Sequence, residues 1–358
     1  MKRMRPLFWR DLILSERKEK TIHVFKLIGE NFVRFLFSVL FVSVFQMIFG
    51  VENTLAGVAA SVAITMYPAM DTGLKPFPMC GVIIGLFLGS GIAAELSVIS
   101  PWLALPVHFL FVAAVMVLCG TPLEIKTFIC FLLSFVFCQA APVPLEAFPM
   151  RMLCLLTGSV LTAVCTLVWW KHKGYGTNGI SIRRQIHLSA KNRGLILRMA
   201  AGITIAMFAA SMLGLKKPLW ISIVVMSLTQ LQLNETLTRI KHRAFGTVVG
   251  VLVFVVVFQM IVPQQYSMLF ILLMSYLSFF TPEYKYKQIV NAVCALNASL
   301  VLLDTTTAIE NRVLCLLGGI AIVLLMHLLE KLAERIKEHF PYFRAVVRSM
   351  LAKESNGE

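Results

Sequence analysis

The 358 residues are 58% hydrophobic and 14% charged, with a mean hydropathy of +0.81. That is more apolar surface than a soluble domain of this length can bury. The net charge of +15 does not mark a nucleic-acid-binding protein, because 21 of the 33 Lys and Arg lie outside the apolar runs, at 1–30, at 171–198 and from Glu330 onward. Short basic flanks of apolar spans stay on the cytoplasmic side of a membrane, and their natural partners are acidic lipid headgroups.

Residues 1–31 form a basic segment that is no cleavable signal, since the first apolar run begins only near Phe32. Six apolar runs follow at about 32–50, 54–70, 78–94, 101–119, 123–140 and 151–170. A basic linker occupies 171–196, and six more runs lie at about 197–214, 218–233, 244–262, 266–281, 286–303 and 312–329. Residues 330–358 read as an amphipathic tail on the membrane surface. A helix crosses a bilayer with about 20 apolar residues. The expectation is therefore an all-α polytopic membrane protein of twelve transmembrane helices. Six spans on each side of the linker put the N-terminus, linker and C-terminus on one side, which agrees with their positive charge.

The two halves repeat. "RMLCLLTG" at 151–158 returns as "RVLCLLGG" at 312–319, and "GVIIG" at 81–85 returns as "GTVVG" at 246–250. Arg34 aligns with Arg198 and Gly50 with Gly214, each 164 positions later, while "TP" at 121–122 aligns with "TP" at 281–282. These anchors keep one order, so 32–170 and 197–329 read as copies of a six-helix unit. An even span number gives both copies the same orientation, a parallel repeat about an axis along the membrane normal. Arg151 and Arg312 then open the last helix of each copy as outer cationic anchors, with Asp304 nearby. Gly81 and Gly85, like Gly246 and Gly250, stand one helical turn apart and suit close helix packing.

The second span of each copy is short, and polar residues follow it in both. Paired short spans at corresponding positions point to a transporter's binding site. Asp71–Thr72 aligns with Glu235–Thr236, and Lys75 with Arg239. A carboxylate near hydrocarbon resists ionisation unless it is paired, so Asp71 and Glu235 are the candidates for proton coupling. Arg239 and Arg243, with Thr72, Thr236, Gln230 and Trp220, are candidates for holding an anion or balancing charge. His108, His327 and Gln139 read as interhelical hydrogen-bonding groups. The eight cysteines form no C-x-x-C pair, and no metal-ligand spacing, phosphate loop, dinucleotide fingerprint or hydrolase motif occurs. No cofactor and no enzymatic activity is expected.

The stretch "GLKKPLWISIVVMSLTQLQLNETLTRIKHRAFGTVVGVLVFVVV" at 214–257 resembles the signature region of the fusaric-acid-resistance and aromatic-acid-exporter family. The matching residues are Gly214, Pro218, Trp220, Arg243, Gly246, Thr247 and Gly250. The resemblance implies a bacterial inner-membrane efflux permease, its termini cytoplasmic, that exports small aromatic or other weak organic acids against protons. It also implies a periplasmic adaptor of the membrane-fusion type, and a homo-oligomer is compatible with it. Longer family members carry a soluble domain between the halves, where this chain has only the linker. The first half also lacks the Arg and the Gly-Thr of the second. The alternative from another class is a non-transporting scaffold of an envelope complex.

Overall fold

The computed structural model describes residues 17–119, 125–177, 179–281, 283–300 and 303–355, with side chains described from residue 24 to residue 336 except Gln259 and Gln264. The "TP" anchors at 121–122 and Pro282, and most of the N-terminal segment, lie outside the described residues.

Thirteen α-helices are described. The first six are α1 (Arg17–Phe49), α2 (Thr54–Met66), α3 (Pro76–Val98), α4 (Pro101–Cys119), α5 (Phe128–Ala140) and α6 (Phe148–Lys173). The short α7 (Ile182–Ser189) lies in the linker. Then come α8 (Arg193–Met212), α9 (Leu219–Leu228), α10 (Leu233–Val255), α11 (Ser267–Leu277), α12 (Tyr284–Ser299) and α13 (Thr305–Ser355). The described residues contain no strand, only an isolated bridge between Leu74 and Ile180.

Among the described residues seven helical stretches are long and apolar enough to cross a membrane: Val24–Phe49, Pro76–Val98, Pro101–Cys119, Leu145–Lys173, Ile182–Met212, Leu233–Phe258 and Thr305–Ile336. The chain is a multi-pass membrane protein. The other five runs read from the sequence fold into shorter helices. α2 has 13 residues, α5 13, α9 10, α11 11 and α12 16, and at about 1.5 Å per residue none reaches the ~30 Å of the hydrocarbon core.

Local chemistry sets the ends. α1 stops at Gly50 (φ 88) and α8 at Gly214 (φ 60), both in the left-handed region that a side chain disfavours. α6 ends at Gly174 (φ 69) after Lys171, His172 and Lys173, cations that suit the negative end of the helix dipole. Proline opens α3 and lies at the start of α6, where a missing N–H costs nothing.

Two stretches differ from expectation. "NETLTRIKHR", the polar run between the eighth and ninth apolar runs, is helical, because α10 begins at Leu233. Glutamate near a helix N-terminus and good helix formers such as Lys and Arg extend the helix below the apolar run. The tail is no separate helix, since α13 continues unbroken from Thr305 to Ser355.

The helices run alternately up and down. Ile180 in the linker pairs with Gly73 and Lys75 before α3. Ser189 of α7 donates to the Val117 carbonyl at the end of α4. These contacts gather the α2–α3, α4–α5 and linker connections at one end of the molecule, the linker end. At the other end Arg151 joins Glu52 and Asn53 to Ala141. α10 and α12 pack side by side in the same direction, Gly246 on Gln288 and Gly250 on Ala292. α3 and α5 do the same, through Phe87–Phe131 and Ser90–Ser134. Between the halves, α4 packs on α8, α5 on α9 and α1 on α11. Outward faces stay apolar, as at Phe32, Leu40, Val44 and Met47 of α1.

Candidate functional site

The short helix α9 organises a polar cluster inside the second half. Its last turn carries Ser227, whose carbonyl accepts from Arg239 Nη1 at 3.2 Å. The Ser227 hydroxyl accepts from Arg243 Nη1, and Tyr284 of α12 reaches the same oxygen at 3.3 Å. The Arg239 guanidinium also lies 4.8 Å from the centre of the Tyr284 ring, a cation–π contact. Arg239 and Arg243 are one turn apart on α10, so both point at α9.

Arg243 is 3% exposed and lies ten residues into α10, about 15 Å from the linker end. From the opposite end Arg312 lies seven residues into α13, about 10 Å deep. Arg312 is 7% exposed, sits 4.9 Å from the Trp220 ring centre, and is near enough to Arg243 to feel its charge. Among the described residues Arg312 makes no hydrogen bond, and the single ion pair, Arg198–Glu330, involves neither Arg243 nor Arg312. Two buried guanidinium groups, Arg243 on Ser227 and Arg312 over Trp220, thus lie in this half with no carboxylate paired to either. In a medium of low dielectric this arrangement attracts an anion strongly.

A second cluster closes the linker end. Arg198 of α8 pairs with Glu330 of α13 and donates to the Gln230 and Leu231 carbonyls, both at 3.0 Å. His327 lies between, with Nδ1 3.3 Å from Arg198 and Nε2 3.1 Å from the Thr236 hydroxyl. The Gln230 side chain accepts from Lys126 Nζ at 2.8 Å, which joins the first half to the second. Lys126 holds a left-handed backbone (φ 55) before α5, uncommon for a residue with a side chain. Burial and the Arg239 guanidinium push its ammonium down to about 8, against the pull of Glu235.

The aligned polar pairs share one disposition. Asp71 and Glu235 are exposed while Thr72 and Thr236 beside them are buried. The Asp71 carboxylate accepts from Gly73 N–H at 3.0 Å. Lys75 stays exposed, whereas Arg239 turns inward. Trp220 is buried under Arg312.

The aligned arginines differ. Arg151 is spent on local structure, donating to Asn53, to Glu52 O at 2.9 Å and to Ala141 O at 2.8 Å. Arg312 has no such carbonyls. Asp304 forms no ion pair with it but accepts from Thr307 N–H at 3.0 Å as a helix cap, and those Thr307 hydrogen bonds hold the Asp304 carboxyl below its ordinary value. The glycine stripes differ likewise. A Cβ on Gly246 or Gly250 would fall 2.5 Å from Gln288 or Ala292 Cβ, while one on Gly81 or Gly85 meets nothing within 4 Å. The close packing expected at Gly81 and Gly85 is not made within this chain.

Sequence reasoning passed over Ser227 and Tyr284, which carry no signal, and assigned Glu330 to the tail. Arg198 stood out only as a repeat anchor and His327 only as an interhelical group. No cluster of three or more His, Cys, Asp or Glu that could hold a metal occurs among the described residues.

Long apolar helices around a buried cationic interior define a transporter-like membrane protein. Residues 205–326, from α8 into α13, match the model of the fusaric acid resistance protein-like family. No curated protein and no solved structure matches the chain.

Proposed function

We propose that this protein exports small organic anions, aromatic or other weak acids, across a bacterial inner membrane while protons move inward. The observation that carries the reading is the buried Arg243–Arg312 pair, which has no carboxylate to neutralise it. A bound carboxylate would take that place, accepting charge-assisted hydrogen bonds, and the Trp220 ring supplies an apolar wall for an aromatic body. Glu235 and Asp71, exposed at the linker end, take up and release protons there. Arg239, Tyr284 and Gln230 bound the way in.

Twelve membrane segments in two parallel repeats frame this route, with the N-terminus, linker and C-terminus cytoplasmic. Repeated contacts support that arrangement. A Cβ on Gly158 would lie 2.8 Å from Ala60 Cβ, and one on Gly319 would lie 2.8 Å from Val224 Cβ, with both members of each pair at aligned positions. Gly50 and Gly214, also aligned, both have positive φ. Between the halves, the fourth helix of each packs on the first helix of the other. A periplasmic membrane-fusion adaptor is the proposed partner for carrying the anion onward.

The test is transport in vesicles of the purified protein under an imposed pH gradient, screening labelled aromatic and aliphatic weak acids. Gradient-dependent flux that Glu235→Gln uncouples and Arg312→Gln abolishes is the expected result. Absence of flux for every acid, with or without an added adaptor, would turn the reading toward a scaffold.

A further inference from the structure

Away from the arginine cluster, the linker is seated on the loop before α3. Ile180 N–H donates to Gly73 O at 2.8 Å, and Lys75 N–H donates back to Ile180 O at 3.2 Å. The approach leaves no room for side chains, since a Cβ on Gly179 would fall 2.6 Å from the Leu74 carbonyl. This seating shapes a cleft of about 590 Å³ between the start of α3 and the end of α6. Lys75 and Lys171 stand on it, with Phe77, Trp170, Tyr175 and Thr177. Among the described residues no carboxylate lines it, and nearby Asp71 is engaged by Gly73 N–H. Trp170 is 1% exposed, and its ring N–H has no partner. Phe77 is 85% exposed and Trp169 51%.

We propose that this cleft holds the headgroup of an anionic phospholipid from the leaflet at the linker end. Two lysines without an acid suit a phosphate, which lysine binds as a point charge. The Thr177 hydroxyl is held by the Gly174 carbonyl at 3.1 Å, which leaves the Trp170 ring N–H as the unpartnered donor beside the two lysines. Phe77, which lines the cleft and is exposed, meets the acyl chains, while the exposed Trp169 on α6 suits the headgroup level at which tryptophan gathers. A soluble phosphate would gain nothing from them, which is why a lipid is the occupant. The seat differs from the diffuse attraction of the basic tails, because it is one built cleft that takes one lipid.

Native mass spectrometry of the full chain tests this, after incubation with equal amounts of phosphatidylglycerol and phosphatidylcholine. One retained phosphatidylglycerol is expected, and Lys75→Gln with Lys171→Gln should weaken its retention about thirtyfold, at roughly fivefold per lysine near a membrane surface. Arg184→Gln with Lys191→Gln, which alters exposed cations elsewhere in the linker, should leave it unchanged. Phe77→Ala should weaken lipid retention while keeping the selectivity for the anionic headgroup. Equal retention of the two lipids, or no effect of the double lysine change, would overturn the proposal. Displacement of the lipid by an equal concentration of glycerol phosphate would overturn it too, because the site would then be one for a soluble phosphate.

Discussion

Replacing Gly250 by Ala, and separately Gly85, sets the two halves against each other at aligned positions. At Gly250 the new Cβ would stand 2.5 Å from Ala292 Cβ and 3.0 Å from the Ile289 carbonyl oxygen. Carbon atoms in contact rest about 3.5–4.0 Å apart, so α10 and α12 must separate by roughly 1 Å or more. Overpacking of this kind costs about 1–3 kcal/mol. Against it stands the gain of about 0.5–1 kcal/mol when alanine replaces a mid-helix glycine. The net expectation is a loss of up to about 2.5 kcal/mol. At Gly85 nothing lies within 4 Å, and only the gain of about 0.5–1 kcal/mol remains. The difference between the variants isolates the packing cost. Denaturant unfolding in mixed micelles measures it, with G250A destabilised and G85A neutral or stabilised. Equal shifts, or greater damage from G85A, would refute the packing argument.

The aligned arginines should also part company. Arg151→Gln removes hydrogen bonds to two carbonyls and to Asn53 and should cost about 2–4 kcal/mol in the same unfolding assay. Arg312→Gln removes no hydrogen bond; it relieves repulsion and gives up the Trp220 ring contact, worth about 0.5–2 kcal/mol, so its cost should stay below that of Arg151→Gln. Lys126, pushed down to about 8, binds fewer protons folded than unfolded above that pH, so it makes stability rise with pH from about 8 toward its ordinary value. Thermal midpoints followed across pH 8–10 should show this rise in the wild type and lose it in Lys126→Met.

Much of the architecture was legible because apolar runs and their breaks are written locally. Gly50, Gly214 and Gly174 stop helices where a left-handed turn is needed, and the basic run after Trp170 marks one end. Helix lengths were less legible. The polar run 233–243 carries no apolar signal, yet its helix formers extend α10 and carry Arg239 and Arg243 inward. The site was half legible. Arg243 and Trp220 belong to a recognisable motif, but Ser227 and Tyr284 matter only because α9 ends opposite α12. Nor could alignment separate Arg151 from Arg312. Their sequences match, and the difference lies in whether carbonyls from other loops reach them.

The most direct test of the anion site is binding, measured by equilibrium dialysis of a labelled aromatic weak acid against purified wild type, R243Q, R312Q and Lys171→Gln. The account predicts that R243Q and R312Q each weaken binding roughly tenfold to a hundredfold, since a hydrogen bond to a charged group contributes about 1.5–3 kcal/mol, while Lys171→Gln binds like the wild type. Undiminished binding by R312Q would contradict it.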